Sequence, residues 1–382
     1  MKPYRSPWMN EELEIFRETA RRFYANEVAP HSERWRKEKK VDREVWLKAG
    51  ELGLVCASIP EEFGGSGGTF AHEAVMIEEQ VKIVDTSFGF VPGSLNAPHF
   101  LHVSASREQN AKWLPEIARG ERLLAVAITE PNAGTDVKAI RATAKREGDE
   151  YVLNGSKTFI THGHLADWCL VVARTGGAGA KGLTMFMVDT KTPGYKVGRI
   201  LDKIGQTGVD TCEIFLDDVR VPAENIVGGR GEGKAFAQLM NCFVNERLSI
   251  GLTAVASMEK AVELTIQYAK ERKLFNEPLL KFQNTRFKLA ECQTEAYAAR
   301  IFIDNLICRL VQGEQLDNAT AAMAKWWCSQ KQCEVIDECL QLFGGYGYMT
   351  EYPIAKLYLD ARVQKIYGGT NEIMKELIAR DM

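Results

Sequence analysis

No apolar run in this sequence approaches the ~20 residues that a membrane helix requires, so no membrane span is expected. Positive charge is not in excess. Lys and Arg total 48 against 51 Asp and Glu, a net charge of -3. That leaves no basic footprint for nucleic acid and no acidic tail. CxxC pairs are missing. The nine cysteines (Cys56, Cys169, Cys212, Cys242, Cys292, Cys308, Cys328, Cys333, Cys339) are dispersed and odd in number. Such a set fits reduced core thiols in a cytoplasm better than a disulfide framework. His99-x-x-His102 and His162-x-His164 lack companion ligands, so no metal site is expected. The opening MKPYRSPWMNEELEIF enters a charged amphipathic pattern without a signal-peptide core, and a cytoplasmic location is expected. Internal repeats and low-complexity segments are absent as well. What remains is an ordinary globular composition, 45% hydrophobic and 26% charged. At 382 residues the chain is long enough for two or three domains.

The hydrophobic period divides the chain into three zones. From Asn10 to about Gly120 it is helical. Asn10 is placed to cap a helix whose first turn holds Glu11 and Glu12. Leu13, Phe16, Ala20 and Phe23 then recur at helical spacing, and Pro30 follows. Further helices are predicted over 42–52, over 71–84, and from Ser106 onward. Pro60 to Gly68 (PEEFGGSGG) is a loop by composition. From Arg122 to Gly233 the runs become short, β-branched or aromatic, and punctuated by Gly, Asn and Asp. Asn154-Gly155 predicts a hairpin turn between two of them. No proline occurs between Gly233 and Pro278, so one long helix or two is predicted there. Long helices are also predicted over 282–310 and 317–342. Helices this long and apolar argue for a bundle that continues across a subunit interface. The expectation is an α+β chain. Residues 1–121 form an N-terminal α-helical domain, 122–233 a middle antiparallel β domain, and 234–382 a C-terminal helical bundle.

Several short motifs sit on this frame. AITEPNAGTD (Ala127 to Asp136) leaves a predicted strand for a loop of small residues, whose free backbone N–H groups suit a phosphate or a flat ring. KTFITHG (Lys157 to Gly163) sets an aromatic, an apolar residue and a hydroxyl in a row. RKLFNEPLLKFQ, QLFGGYGYMTEYP and IYGGTNEI follow in that order. Each is modest alone; the order and the helical–β–helical frame make them specific. Over almost its whole length the chain resembles the acyl-CoA dehydrogenase family. The ending DARVQKIYGGTNEIMKELIAR looks particularly like the long-chain branch. The resemblance implies a C-terminal four-helix bundle, tightly held FAD, and a dimer or tetramer, with a homotetramer expected. It also implies oxidation of the Cα–Cβ bond of an acyl-CoA, with an electron-transfer flavoprotein as electron acceptor.

That chemistry needs a base for a weakly acidic Cα proton and donors for the enolate-like charge on the thioester oxygen. A carboxylate in a dry pocket suits the first task, because desolvation raises its pKa. Most of the family carries the base as Glu within a YEGT motif. Here that position is Gly368. In the long-chain and isovaleryl branches the carboxylate comes instead from a C-terminal-domain helix, just before an Arg. VNERLSIG supplies it here as Glu246, followed by Arg247. By the same resemblance the Gly368 backbone N–H still bonds the thioester oxygen, together with a ribityl hydroxyl of FAD. Thr135, Arg247 and Tyr367 also lie at the substrate, Arg247 chiefly for orientation. Taken alone, Glu246 would be read as a surface or ion-paired glutamate; the paired loss at 368 favours the base.

The cofactor residues carry over in the same manner. Ile128, Thr129, Gly134 and Thr135 match the loop that meets the flavin and its pyrophosphate, and Phe159 and Thr161 the residues beside the isoalloxazine. Arg272, Phe275, Gln283, Gln341 and Gly345 match positions that reach the FAD of a neighbouring subunit. Thr370 and Glu372 match contacts to the FAD of their own subunit. The plain alternative for each is structural: Phe275 as core, or the glycines after Gln341 as a helix C-cap. Two departures stand out. Thr135 replaces the family's serine, and His162 replaces its Asn. The latter puts a titratable group near the flavin edge, with a structural or solvent-exposed ring expected. An acyl-CoA oxidase on the same scaffold is the first rival; turnover with O2 alone would identify it. A non-catalytic DNA-binding flavoprotein is the second, and salt-sensitive DNA binding would identify it. Glu246 does not choose between long straight and branched acyl chains, since that depends on a pocket floor near Val91 to Phe100.

Overall fold

The computed structural model describes residues 4–229 and 231–382. The first zone is helical. Helix α1 (Glu11–Phe23) starts where Asn10 Oδ1 accepts the Leu13 N–H at 2.8 Å and buries Leu13, Ala20 and Phe23. It does not stop before Pro30. A π-turn (Tyr24–Val28) and a 3-10 turn (Ala29–His31) lead into α2 (Ser32–Glu38), which the sequence pattern did not reveal. Pro30 sits near the start of its turn, where no amide donor is needed. Helices α3 (Glu44–Glu51), α4 (Phe70–Lys82), α5 (Ala97–Ser104) and α6 (Arg107–Ala118) follow. Ser106 opens α6 through a reciprocal capping box with Gln109.

The second zone is a seven-stranded sheet: β1 (Leu124–Ala127), β2 (Thr143–Glu147), β3 (Glu150–Thr161), β4 (Trp168–Arg174), β5 (Leu183–Asp189), β6 (Tyr195–Ile200) and β7 (Thr211–Pro222). Two features depart from expectation. Asn154-Gly155 is not a hairpin turn. Both residues lie inside β3, where the register against β7 slips between Leu153 and Gly155. Gly155 comes so close to the chain that a Cβ there would stand 2.7 Å from that of Ala142, so the glycine serves a bulge. The turn falls earlier, between the β2–β3 partners Glu147 and Glu150, with Gly148 at φ +64°. The sheet is mostly antiparallel, but β1 and β2 each run parallel to β4. That parallel pairing points the end of β1 towards the middle of β3.

The third zone is one unbroken helix of 37 residues, α7 (Ala235–Glu271), then a small hairpin of β8 (Lys273–Leu274) and β9 (Glu277–Pro278). Helices α8 (Gln283–Val311), α9 (Asn318–Phe343), α10 (Pro353–Ala361) and α11 (Asn371–Arg380) complete the bundle. Helix α7 meets α9 closely at Gly251, where a Cβ would lie 3.1 Å from the Ala324 carbonyl oxygen. Small residues are what such a crossing demands. Among the described residues no helix is long and apolar enough to cross a membrane.

One carboxylate ties the three zones together. Asp360, at the end of α10, accepts from Arg36 at 3.2 Å, from Thr86 at 3.1 Å, and from the backbone N–H of Gln206 in the β zone. Arg36 also bonds Asp85 at 3.2 Å. Gly205 permits the approach, since a Cβ there would lie 2.2 Å from the Leu359 carbonyl oxygen. Replacing Asp360 with alanine leaves Arg36 short of a partner in a nearly dry junction. The expected outcome is a lower urea midpoint, equivalent to about 3 kcal/mol; an unchanged midpoint would contradict this role.

Candidate active site

Burial and strain mark a site where α7, α9 and the loop before α11 converge. Glu246 points inward from α7. Its Oε2 is inaccessible and has no hydrogen-bond partner. Burial pushes its carboxyl up to about 7, against partial opposition from the positive charges of Arg247 and Lys325. Arg247 does not neutralise it by contact. The guanidinium turns to Asn318 Oδ1 at 3.0 Å and lies 5.4 Å over the Phe243 ring. Facing Glu246 is the Gly368–Gly369 turn, with φ +65° and +92°, conformations that glycine adopts without a steric cost. A Cβ placed on Gly368 would stand 3.7 Å from Glu246 Oε1 and 2.6 Å from Ile250 Cδ1. A side chain at 368 would therefore start in the space that the Glu246 carboxylate and the Ile250 methyl fill. Thr370 caps α11, its Oγ1 accepting from the Ile373 N–H at 3.5 Å, and Glu372 is exposed beside it. Tyr367 lies 3.5 Å from Gln206 Nε2 through its hydroxyl.

A second group forms where β1 ends against β3. Thr129 accepts the Thr158 N–H through its carbonyl at 2.9 Å. Lys157, fully buried, donates to Ile128 O at 3.0 Å and to Glu130 at 2.8 Å. Glu130 in turn accepts the Arg141 and Ala142 N–H groups at 2.7 and 2.9 Å. This network holds Ile128 and Thr129 beside Phe159 and Thr161. Phe159 is 66% exposed and held at φ +59°, an unusual arrangement for an aromatic residue. Gly134 has open space on its side-chain face, and Thr135 is exposed. An uncovered aromatic, two threonines, and a small-residue loop fit a flat apolar ring with a polar tail. The residues present thus suit a flavin dinucleotide.

The third group lies elsewhere. Arg272 caps the far end of α7 and stacks 5.6 Å over Tyr346, next to Gly345. Phe275, at the tip of the β8–β9 hairpin, is 93% exposed, which rules out a core role. Gln283 and Gln341 are near the same end of the bundle, and Gly344 at φ +58° ends α9. At 1.5 Å per residue, Arg272 is roughly 39 Å along α7 from Glu246. His162 is the remaining departure, and its ring is structural, not solvent-exposed. It is 2% exposed, edge-on to Trp46 at 5.4 Å, and neither ring nitrogen has a partner. Burial lowers its pKa and keeps it neutral. Sequence reasoning missed Glu130, Lys157, Gln206, Lys325 and Asp360. For Lys325 a signal existed: it shares a helical face with Ala321, Ala322, Cys328 and Ser329, where a lysine is out of place.

The fold and these groups together fit a flavin-dependent oxidoreductase. Sequence models of the acyl-CoA dehydrogenase N-terminal, middle and C-terminal domains match residues 10–121, 125–219 and 233–382. The mouse mitochondrial long-chain specific acyl-CoA dehydrogenase is 44% identical over 98% of this chain and 87% of its own length. Among solved structures, the acyl-CoA dehydrogenase from Geobacillus kaustophilus superposes with a TM-score of 0.94 at 38% identity, covering 99% of each chain. The FAD complex of the Bacillus anthracis acyl-CoA dehydrogenase gives 0.90 at 28% identity, over 99% of this chain and 68% of that one. The chain belongs to the acyl-CoA dehydrogenase family, oxidoreductases acting on CH–CH bonds with FAD as cofactor.

Two outcomes are expected. Lys157→Met strips Glu130 of its cation and Ile128 of a donor, so the purified protein should carry much less flavin by its absorbance ratio; full flavin content would contradict the network's role. Glu246→Gln bears on stability. The Glu246 carboxyl titrates higher folded than unfolded, so the folded state binds the extra proton between about 4.5 and 7. Stability from this group is present below 4.5 and is lost as pH rises through 7. Glu246→Gln should therefore raise the melting temperature at pH 8 by a few degrees, up to about 3 kcal/mol, and change little at pH 4. A lower melting temperature at pH 8 would contradict the buried-charge assignment.

Proposed function

We propose that this chain oxidises the Cα–Cβ bond of an acyl-CoA thioester to the trans-2-enoyl-CoA, with Glu246 as catalytic base. The observation that carries the reading is the 3.7 Å separation between Glu246 Oε1 and a Cβ placed on Gly368. The family's usual base position and Glu246 face one point, so either carboxylate would address the same substrate carbon. Glu246 takes the Cα proton, and its raised pKa near 7 makes it a base matched to neutral pH. The Gly368 N–H bonds the thioester oxygen and stabilises the charge that develops there. FAD bound beside them would supply the acceptor for the hydride lost from Cβ. Ile128, Thr129, Gly134, Thr135, Phe159 and Thr161 hold its ring and pyrophosphate, and Thr370 and Glu372 complete the site from α11. Arg247 orients α7 through Asn318, and Tyr367 walls the substrate. A long acyl chain is the substrate class favoured by the 44% identity with the mouse long-chain enzyme. Electrons leave to an electron-transfer flavoprotein.

The chain works as a homo-oligomer, a tetramer by family resemblance. Arg272, Phe275, Gln283, Gln341 and Gly345 lie too far from Glu246 for one flavin dinucleotide to bridge them. They serve the cofactor of a neighbouring copy, and the exposure of Phe275 agrees with a partner covering it.

The test is anaerobic mixing of the holoenzyme with a panel of acyl-CoAs while the flavin band is followed. The wild type should bleach, and Glu246→Gln should keep its flavin but bleach about 10³-fold more slowly. Equal bleaching would place the base elsewhere. The wild-type rate should also rise with pH through about 7, as Glu246 loses its proton; a limb near the ordinary carboxylate value of 4.5 would mean a solvated group.

A further inference from the structure

Behind the Gly368–Gly369 turn lies a lysine that the reaction, as described so far, does not use. Lys325 of α9 has no accessible surface. Its ammonium donates to the Gly369 carbonyl at 2.6 Å and to Asn371 Oδ1 at 2.9 Å. The same Asn371 oxygen accepts from Ser329 Oγ at 3.1 Å. Both partners of the ammonium are neutral oxygens. Burying a cation on neutral acceptors costs far more than burying a hydroxyl or amide that could make the same bonds. Joining the loop to α9 therefore does not by itself explain the charge.

The position does. Gly369 follows the residue whose N–H meets the thioester oxygen. Two successive glycines at positive φ have no side chains to restrain them, so an outside group must fix where that N–H points. The charged groups facing Lys325 are Glu246 and Arg247 from α7 and Glu372 from α11. Burial and Arg247 push Lys325 down to about 8, with Glu372 and Glu246 opposing.

We propose that Lys325 is the positioning residue of the oxyanion contact: its ammonium pins the Gly368–Gly369 turn through the Gly369 carbonyl and supplies positive potential behind the Gly368 N–H. The inference rests on the reading of Gly368 as donor to the thioester oxygen. A preorganised donor backed by a fixed charge in a dry site stabilises developing negative charge without reorganisation.

The probe is acetoacetyl-CoA bound to the oxidised holoenzyme. Its C2 proton is acidic, and its enolate carries charge on the same thioester oxygen. The bound enolate is titrated by ultraviolet absorbance. In the wild type its pKa should lie well below the value free in solution. Lys325→Met should raise the bound value by roughly one to two pH units, a 10- to 100-fold loss of enolate stabilisation. Lys325→Arg should stay near wild type. Asn371→Asp keeps the shape and the bond to Lys325 but neutralises its field, and should raise the bound pKa by a similar amount. A lysine that only braces the fold would change flavin content and melting temperature and leave the Asn371→Asp value at wild type; that result overturns the proposal. If Lys325→Met fails to fold, Asn371→Asp decides alone. A wild type that leaves the enolate pKa at its solution value would refute the Gly368 reading, and this inference with it. A lowered wild-type value with an unmoved Asn371→Asp refutes only the role of Lys325.

Discussion

The crossing of α7 and α9 at Gly251 is the constraint on which the site depends. With no side chain at 251 and alanine opposite, the two helix backbones come close. Little more than one turn away on α7 stands Glu246; one residue on from the contact in α9 stands Lys325. Their opposite charges then lie on either side of the Gly368–Gly369 turn. Lys325 is buried and Glu246 half-buried with its Oε2 inaccessible, and both titrate nearer neutrality than free side chains do. A larger residue at 251 would separate the helices and, with them, the proposed base Glu246 from the Gly368–Gly369 turn. The Asp360 junction sets the same turn from its other end, because Gln206, bound to Asp360, also reaches Tyr367.

A carboxylate without a hydrogen-bond partner is costly to bury, and Glu246 Oε2 has none. Such a cost is usual at a working site and hard to explain elsewhere. The exposed, strained Phe159 and the exposed Phe275 repeat this logic at the positions proposed to meet a cofactor. Each is unfavourable in the isolated chain and favourable once a ring or a neighbouring copy covers it.

Much of this was legible in the sequence, and for identifiable reasons. Helical period and caps such as Asn10 and Ser106 set the helices, because capping and burial act within a few residues of sequence. The proposed exchange of a carboxylate from position 368 to 246 rests on family resemblance, since the two positions lie far apart along the chain and no local pattern joins them. Asn154-Gly155 misled because the dipeptide favours a bulge as well as a turn, and only pairing with β7 decides between them. Helix α2 was hidden by Pro30, which begins a turn as readily as it ends one. The networks of Glu130 with Lys157 and of Asp360 with Arg36 join residues distant in sequence, so no local pattern announces them. His162 was left open between burial and exposure because its cage of Trp46, Gly89 and Gly93 comes from another zone.

The central claim is that one carboxylate, on α7, addresses the substrate carbon while the backbone at Gly368 holds the thioester oxygen. The most direct measurement is a crystal structure of the Glu246→Gln holoenzyme with a saturated long-chain acyl-CoA. The account requires the amide introduced at position 246 to contact the substrate Cα, and the Gly368 N–H to lie within about 3 Å of the thioester oxygen. A substrate whose Cα faces another carboxylate, or whose thioester oxygen turns away from Gly368, would contradict it.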